Sequence, residues 1–221
     1  MEIGGFLPFS LCDFPSHQAA VVFAQGCNFR CPFCHNGPLL AMTGGSVPQP
    51  DVLERLARRR GLLEGVVVSG GEPCLQADLA EFCASVKALG FLVKLDTNGS
   101  RPSVLRELLA QGLIDYVAMD VKAPPHLYAT LAGAEVDWRT IEESIGVLAA
   151  CSVPHHFRTT VVPSLLSEED LEEIVSLLPA HAKHVRQKFR ADLACDPALR
   201  ASAGHTKTSR AQEGAVHVHS A

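Results

Sequence analysis

Cys27, Cys31 and Cys34 fall in one short run, GCNFRCPFCHN, with the spacing C-x3-C-x2-C and Phe33 just before the third cysteine. A [4Fe–4S] cube has four irons and is usually held by four thiolates. Three thiolates from one loop leave one iron with an open position, free to bind and activate a small molecule. That chemistry belongs to an enzyme rather than to an electron carrier. The plain alternative is a structural zinc loop, but such sites usually show two ligand pairs spaced along the chain. No second pair follows here. His35 is the immediate neighbour of Cys34, and adjacent residues rarely converge on one tetrahedral ion.

The chain has 221 residues, 47 % of them apolar, enough for one well-packed domain. Net charge is −5 with no block of lysine or arginine, so no nucleic-acid partner is expected. Arg58, Arg59 and Arg60 read as the solvated end of a helix. The start, MEIGGFLPFSLCDF, lacks a basic stretch and a long apolar segment, so neither a signal peptide nor a membrane span is expected. A cytoplasmic location with reduced thiols is the expectation. Cys12, Cys74, Cys83, Cys151 and Cys195 lie far apart and form no second cluster motif. Cys83 shares a helical face with Leu79, Phe82 and Val86 and reads as core filler.

Short apolar runs alternate with helical patterns. Strands are expected at 19–24, 65–69, 91–95, 114–119, 156–162 and, more weakly, 184–189. Helices are expected around Val52–Ala57, Leu79–Leu89, Leu105–Leu109 with Ser100 as cap, Trp138–Leu148, and Leu171–Leu177 opened by a Ser167/Asp170 capping box. Such β–α units imply a parallel sheet with right-handed crossovers. Six units are too few to close an eight-stranded barrel. The expected fold is therefore α/β, a partial (β/α)6 TIM-like barrel open on one side, with a doubly wound sheet as the alternative. One domain is expected over residues 1–198 and a flexible tail over 199–221, where His217 and His219 read as solvated.

In parallel α/β folds ligands bind at the carboxyl ends of the strands, and the polar motifs fall there. They are the cysteine loop, Ser69-Gly70-Gly71-Glu72-Pro73, Asp96-Thr97-Asn98-Gly99, Asp120 with Lys122, and Arg158 with Thr160. With the cysteine spacing, this set resembles the radical S-adenosylmethionine enzymes. The stretches FSLCDFP, QGCNFRCPFCHN, DTNG and MDVK are similar to activating enzymes of glycyl radical enzymes, and within them to activators of anaerobic ribonucleoside-triphosphate reductase. The resemblance runs from about residue 3 to residue 190.

The resemblance implies one [4Fe–4S] cluster on Cys27, Cys31 and Cys34, whose open iron chelates the methionine part of S-adenosylmethionine. It implies that Gly70 and Gly71 let backbone approach that ligand, that Glu72 accepts from its amino group, and that Lys122 meets its carboxylate. Asp96, Asn98 and Asp120 would organise the polar floor, Arg158 would touch the ligand or form an ion pair, and Phe33 and Phe29 would limit water. The implied reaction is reductive cleavage to methionine and a 5′-deoxyadenosyl radical, which takes a hydrogen atom from a glycine of a partner enzyme. A flavodoxin- or ferredoxin-type donor would supply the electron. No ferredoxin-like insert separates Cys34 from Gly70, so a single cluster is expected. Two other readings stay open: a radical enzyme acting on a small molecule, of the 7-carboxy-7-deazaguanine synthase kind, and a non-catalytic iron–sulfur or zinc module.

Overall fold

The computed structural model describes residues 1–201. The expected tail therefore lies, from residue 202 on, outside the described residues, and so do His217 and His219. A seven-stranded sheet runs in chain order: β1 (Ile3–Phe14), β2 (His17–Ala24), β3 (Gly65–Gly70), β4 (Leu92–Thr97), β5 (Tyr116–Asp120), β6 (His155–Val161) and β7 (His184–Lys188). β1 and β2 form an antiparallel hairpin; every later pair is parallel. The order does not close on itself, so the sheet is an open, partial barrel. The α/β expectation is met, with one correction: β1 adds a seventh strand. Its register slips three times, at Ile3/Gly5, Leu7/Ser10 and Ser10/Phe14. Those slips erase the two-residue alternation by which a strand is recognised.

Six helices fill the connections, α1 (Gln49–Ala57), α2 (Leu79–Ala88), α3 (Pro102–Ala110), α4 (Pro125–Ala132), α5 (Trp138–Ala150) and α6 (Glu168–Ser176), and α7 (Pro197–Ala201) follows β7. The Ser167/Asp170 capping box opens α6 as expected. Ser100 does not cap α3. Arg101 holds that position, Pro102 starts the helix, and the Ser100 hydroxyl accepts from Asn28 Nδ2 at 2.9 Å. α7 carries the packed chain to Ala201, with Leu199 in the core. No helix of the described residues is long and apolar enough to cross a membrane.

Strand alternation divides the sheet's two faces. Ala20, Val22, Val66, Val68, Val93, Leu95, Val117, Met119 and Phe157 point toward the helices and join one core with Phe82, Leu105 and Ile141. Cys83 belongs to that core and is fully buried. The opposite face begins apolar, at Phe14, Ala19, Val21 and Val67 with Leu92 and Tyr116 against them. Further along the same alternation stand Lys94 and Asp96, two and four residues past Leu92, and Asp120, four past Tyr116, with Arg158 paired beside it. The interior is thus greasy at its base and charged at the carboxyl ends of the strands.

Candidate active site

The cysteine loop follows β2 and is held from three sides. Gly26 N donates to Leu39 O at 2.8 Å, and Arg30 N donates to Ala132 O at 2.7 Å, where α4 ends. Gly133 caps α4 in the left-handed conformation (φ 61°), and a Cβ there would lie 2.2 Å from Arg30 O. Only glycine lets that helix end reach the loop. From the third side, Asn98 Nδ2 donates to Asn28 Oδ1 at 3.0 Å. Backbone amides point at two of the sulfurs: Phe29 N lies 3.4 Å from Cys27 Sγ and Asn36 N 3.3 Å from Cys34 Sγ.

The three cysteines line one side of a cleft of about 350 Å³ at the strand ends. Phe33, Gly70, Gly71, Asp96, Asn98, Asp120, Lys122 and Arg158 line it too. Every sequence-derived site residue except Glu72 is therefore brought together. Phe29 and Phe33 are buried at its wall, where Phe29 meets the edge of Tyr128.

Glu72 stands behind the cleft. It is fully buried, and its carboxylate accepts from Asn98 N (2.6 Å), Thr97 Oγ1 (2.8 Å) and Cys74 N (3.0 Å). Burial pushes its carboxyl above the usual range, while these donors work against the shift. Through these bonds Glu72 ties the turn after β3 to the turn after β4. Gly71, which lines the cleft, also packs inward. A Cβ there would meet Gly26 O at 2.1 Å, so the missing side chain makes room for the cysteine loop's own backbone. Glu72 N donates to that same Gly26 O at 2.8 Å.

The floor is a chain of alternating charges. Lys94 pairs with Asp96; Arg158 bridges Asp96 (3.1 Å) and Asp120 (2.7 Å); Lys122 meets Asp120 at 2.8 Å. Three cations face two carboxylates, leaving one positive charge over. Burial alone would raise the Asp96 carboxyl, but Arg158 and Lys94 outweigh it and hold it low. Asp120 behaves likewise under Arg158 and Lys122. Lys122, against the cost of burial, is kept charged chiefly by Asp120. Arg158 therefore serves as an ion-pair hub that also faces the cleft. Lys94 was missed by the sequence reading, although a lysine inside the apolar run FLVKL is an audible signal. Asp13, Ser69 and Thr160 also line the cleft, and Ser69 Oγ donates to Asp96 at 3.1 Å.

Burial pushes the Cys31 thiol up to about 12 and raises Cys27 as well. Thiolates form there only with a cation at hand, which an iron cluster supplies. Three converging thiols, amide donors at two sulfurs and the nearby positive charge of Lys122 fit an iron–sulfur cluster. His35 is occupied elsewhere, stacked on Phe189 and accepting from Arg190 N at 3.2 Å.

The sequence profile of the Radical SAM superfamily matches residues 21–178. This chain belongs to that superfamily. It is an enzyme of radical chemistry, and membership implies S-adenosylmethionine and an iron–sulfur cluster. Methanocaldococcus jannaschii MJ1227, provisionally named a glycyl-radical enzyme activating enzyme, is 34 % identical over 192 residues, 85 % of this chain and 79 % of that one. The pyruvate formate-lyase-activating enzyme of Clostridium pasteurianum is 28 % identical over 191 residues, 83 % of this chain and 76 % of that one. The match to a 7-carboxy-7-deazaguanine synthase of Hyperthermus butylicus is shorter: 34 % over 96 residues, 42 % of this chain and 40 % of that one. A domain of a pyruvate-formate lyase-activating enzyme from Bacteroides vulgatus shares the fold, with TM-score 0.50 and 18 % identity over 63 % of this chain and 89 % of that one.

Proposed function

We propose that this radical SAM enzyme takes a hydrogen atom from a glycine Cα of a larger partner, an anaerobic ribonucleoside-triphosphate reductase, in a reducing cytoplasm. The observation that carries the reading is the open sheet. β1 and β7 do not pair, so no strand ladder closes the side of the sheet from which a peptide loop would reach the strand ends. The likeness to activating enzymes along most of both chains supports it. The reductase as partner rests on the CPFCHN and SLCDFP segments, which resemble the reductase activators' versions.

When bound, a [4Fe–4S] cluster would supply one electron, drawn from a flavodoxin- or ferredoxin-type donor, for reductive cleavage of S-adenosylmethionine. This chain's own residues hold and shield. Cys27, Cys31 and Cys34 would be the cluster's thiolate ligands. Lys122 offers a charge-assisted contact to the ligand's carboxylate, and Asp120 fixes the ammonium in place. Backbone of Gly70 and Gly71 forms the wall for the methionine part. Phe29 and Phe33 exclude water that would quench a radical.

The test is anaerobic incubation of reconstituted chain, S-adenosylmethionine, strong reductant and the reductase. A doublet electron-spin-resonance signal should arise on the reductase and vanish when its radical-bearing glycine is changed to alanine. The shorter match to a deazaguanine synthase favours a second reading, a small-molecule substrate. Consumption of S-adenosylmethionine with turnover of a small molecule and no radical on any partner would establish that reading instead.

A further inference from the structure

The cysteine loop has a second thiol beside it that the cluster chemistry does not use. Cys195 is separated from Cys34 by more than 150 residues of sequence, yet its sulfur sits against Gly37 of the same loop, near enough for the two thiols to interact. Both are partly exposed.

The contact is built by backbone. Asp196 N donates to Pro32 O at 2.9 Å, tying the residue after Cys195 to the residue two before Cys34. Arg190 N on Nε2 of His35, with Phe189 stacked on that ring, fastens the same C-terminal segment one residue past Cys34. Gly37 completes the seat. A Cβ at Gly37 would come within 2.9 Å of Cys195 Sγ, so a side chain there would push that sulfur away.

The geometry points to a reversible Cys34–Cys195 disulfide, formed when the loop carries no cluster and a low-molecular-weight disulfide is the oxidant. The inference rests on the reading of Cys34 as a cluster ligand. The steps balance as ordinary exchange. The Cys34 thiolate attacks one sulfur of the small disulfide, breaks its S–S bond and expels one small thiol. The Cys195 thiolate then attacks the Cys34 sulfur, forms the protein S–S bond and expels the second small thiol. Two protein thiols are oxidised, one small disulfide is reduced, and the two protein protons end on the two small thiols. The bond removes one of three cluster ligands and shields it from irreversible oxidation to sulfinic acid. A dithiol reductant restores it, so cluster loading becomes conditional on the thiol poise.

Oxidised glutathione added to the full chain, stripped of iron by a chelator, tests this directly. Tryptic digestion places Cys31 and Cys34 in residues 31–55 and Cys195 in residues 191–200. The expected product is a 31–55/191–200 pair that fragmentation assigns to Cys34, abolished by dithiothreitol. It should be absent from the iron-loaded protein under the same treatment. Cys195→Ser should lose the pair and carry glutathione on Cys34 instead. Iron uptake after oxidation should need dithiothreitol in the parent chain. A bond between Cys31 and Cys34, or glutathione on both Cys34 and Cys195 with no linked peptide, overturns the inference. That result is read on the parent chain, whatever the variant does, and leaves the proposed radical chemistry standing.

Discussion

Glu72→Gln separates a ligand-binding carboxylate from a structural one. The glutamate faces donors on every side: the amides of Cys74 and Asn98 and the Thr97 hydroxyl. Glutamine keeps one acceptor oxygen, which suffices for Cys74 N and Thr97 Oγ1, both bound to Oε1. Its amide nitrogen must then face Asn98 N–H, donor against donor. One hydrogen bond to a charged acceptor is lost, worth about 1.5–3 kcal/mol, and part is regained because a neutral amide costs less to bury. The expected net loss is about 1–3 kcal/mol. For a chain of this size that lowers the melting temperature of the reconstituted protein by roughly 2–4 °C per kcal/mol. Amide exchange at Asn98 should quicken by about ten- to a hundredfold, with affinity for S-adenosylmethionine falling only through the loosened loop. Unchanged melting and exchange, combined with outright loss of S-adenosylmethionine binding, would refute the reasoning and return Glu72 to the ligand.

Gly71→Val should drive a side chain into Gly26 O, so iron content after anaerobic reconstitution should fall along with cofactor binding; full iron loading would contradict the packing. Lys122→Met should weaken S-adenosylmethionine binding by about 1.5–3 kcal/mol, roughly ten- to 150-fold by calorimetry, and an unchanged affinity would remove Lys122 from the site. His156, 7 % exposed and accepting from Tyr116 Oη at Nδ1, has its pKa lowered to about 4 by burial and then by Arg158. The unfolded chain takes up a proton near pH 6.5 that the folded chain refuses until about pH 4. Stability should therefore fall as pH drops through that window, by about 2 kcal/mol from this residue once partial solvent access is allowed for. Urea titrations at pH 7 and 4.5 should show a smaller pH dependence for His156→Phe than for the parent chain.

The parallel strands and most helices were legible because their apolar periods are clean. The hairpin strand β1 was not: Gly4, Gly5, Pro8 and three register slips leave no period to read. The eight-residue α4 was hidden by Pro124 and Pro125, which read as a break but here start the helix. The cleft residues were legible as types at strand ends. Their division of labour was not, because it depends on which neighbour each group meets. Glu72 meets three protein donors, and the bare backbone at Gly71 also makes room for a carbonyl 45 residues earlier in the chain; neither neighbour can be read from the local sequence.

The row Lys94–Asp96–Arg158–Asp120–Lys122 carries a consequence for divergence among relatives. Its members come from three neighbouring strands and the turn after β5, and all are largely shielded from water. Neutralising Asp96 or Asp120 leaves buried cations without their partner, at a cost of about 3–5 kcal/mol. These five positions are therefore expected to drift as a group. A relative that has lost the lysine at 94 should also have lost the carboxylate at 96, so that the excess of one positive charge persists inside a protein whose overall charge is −5.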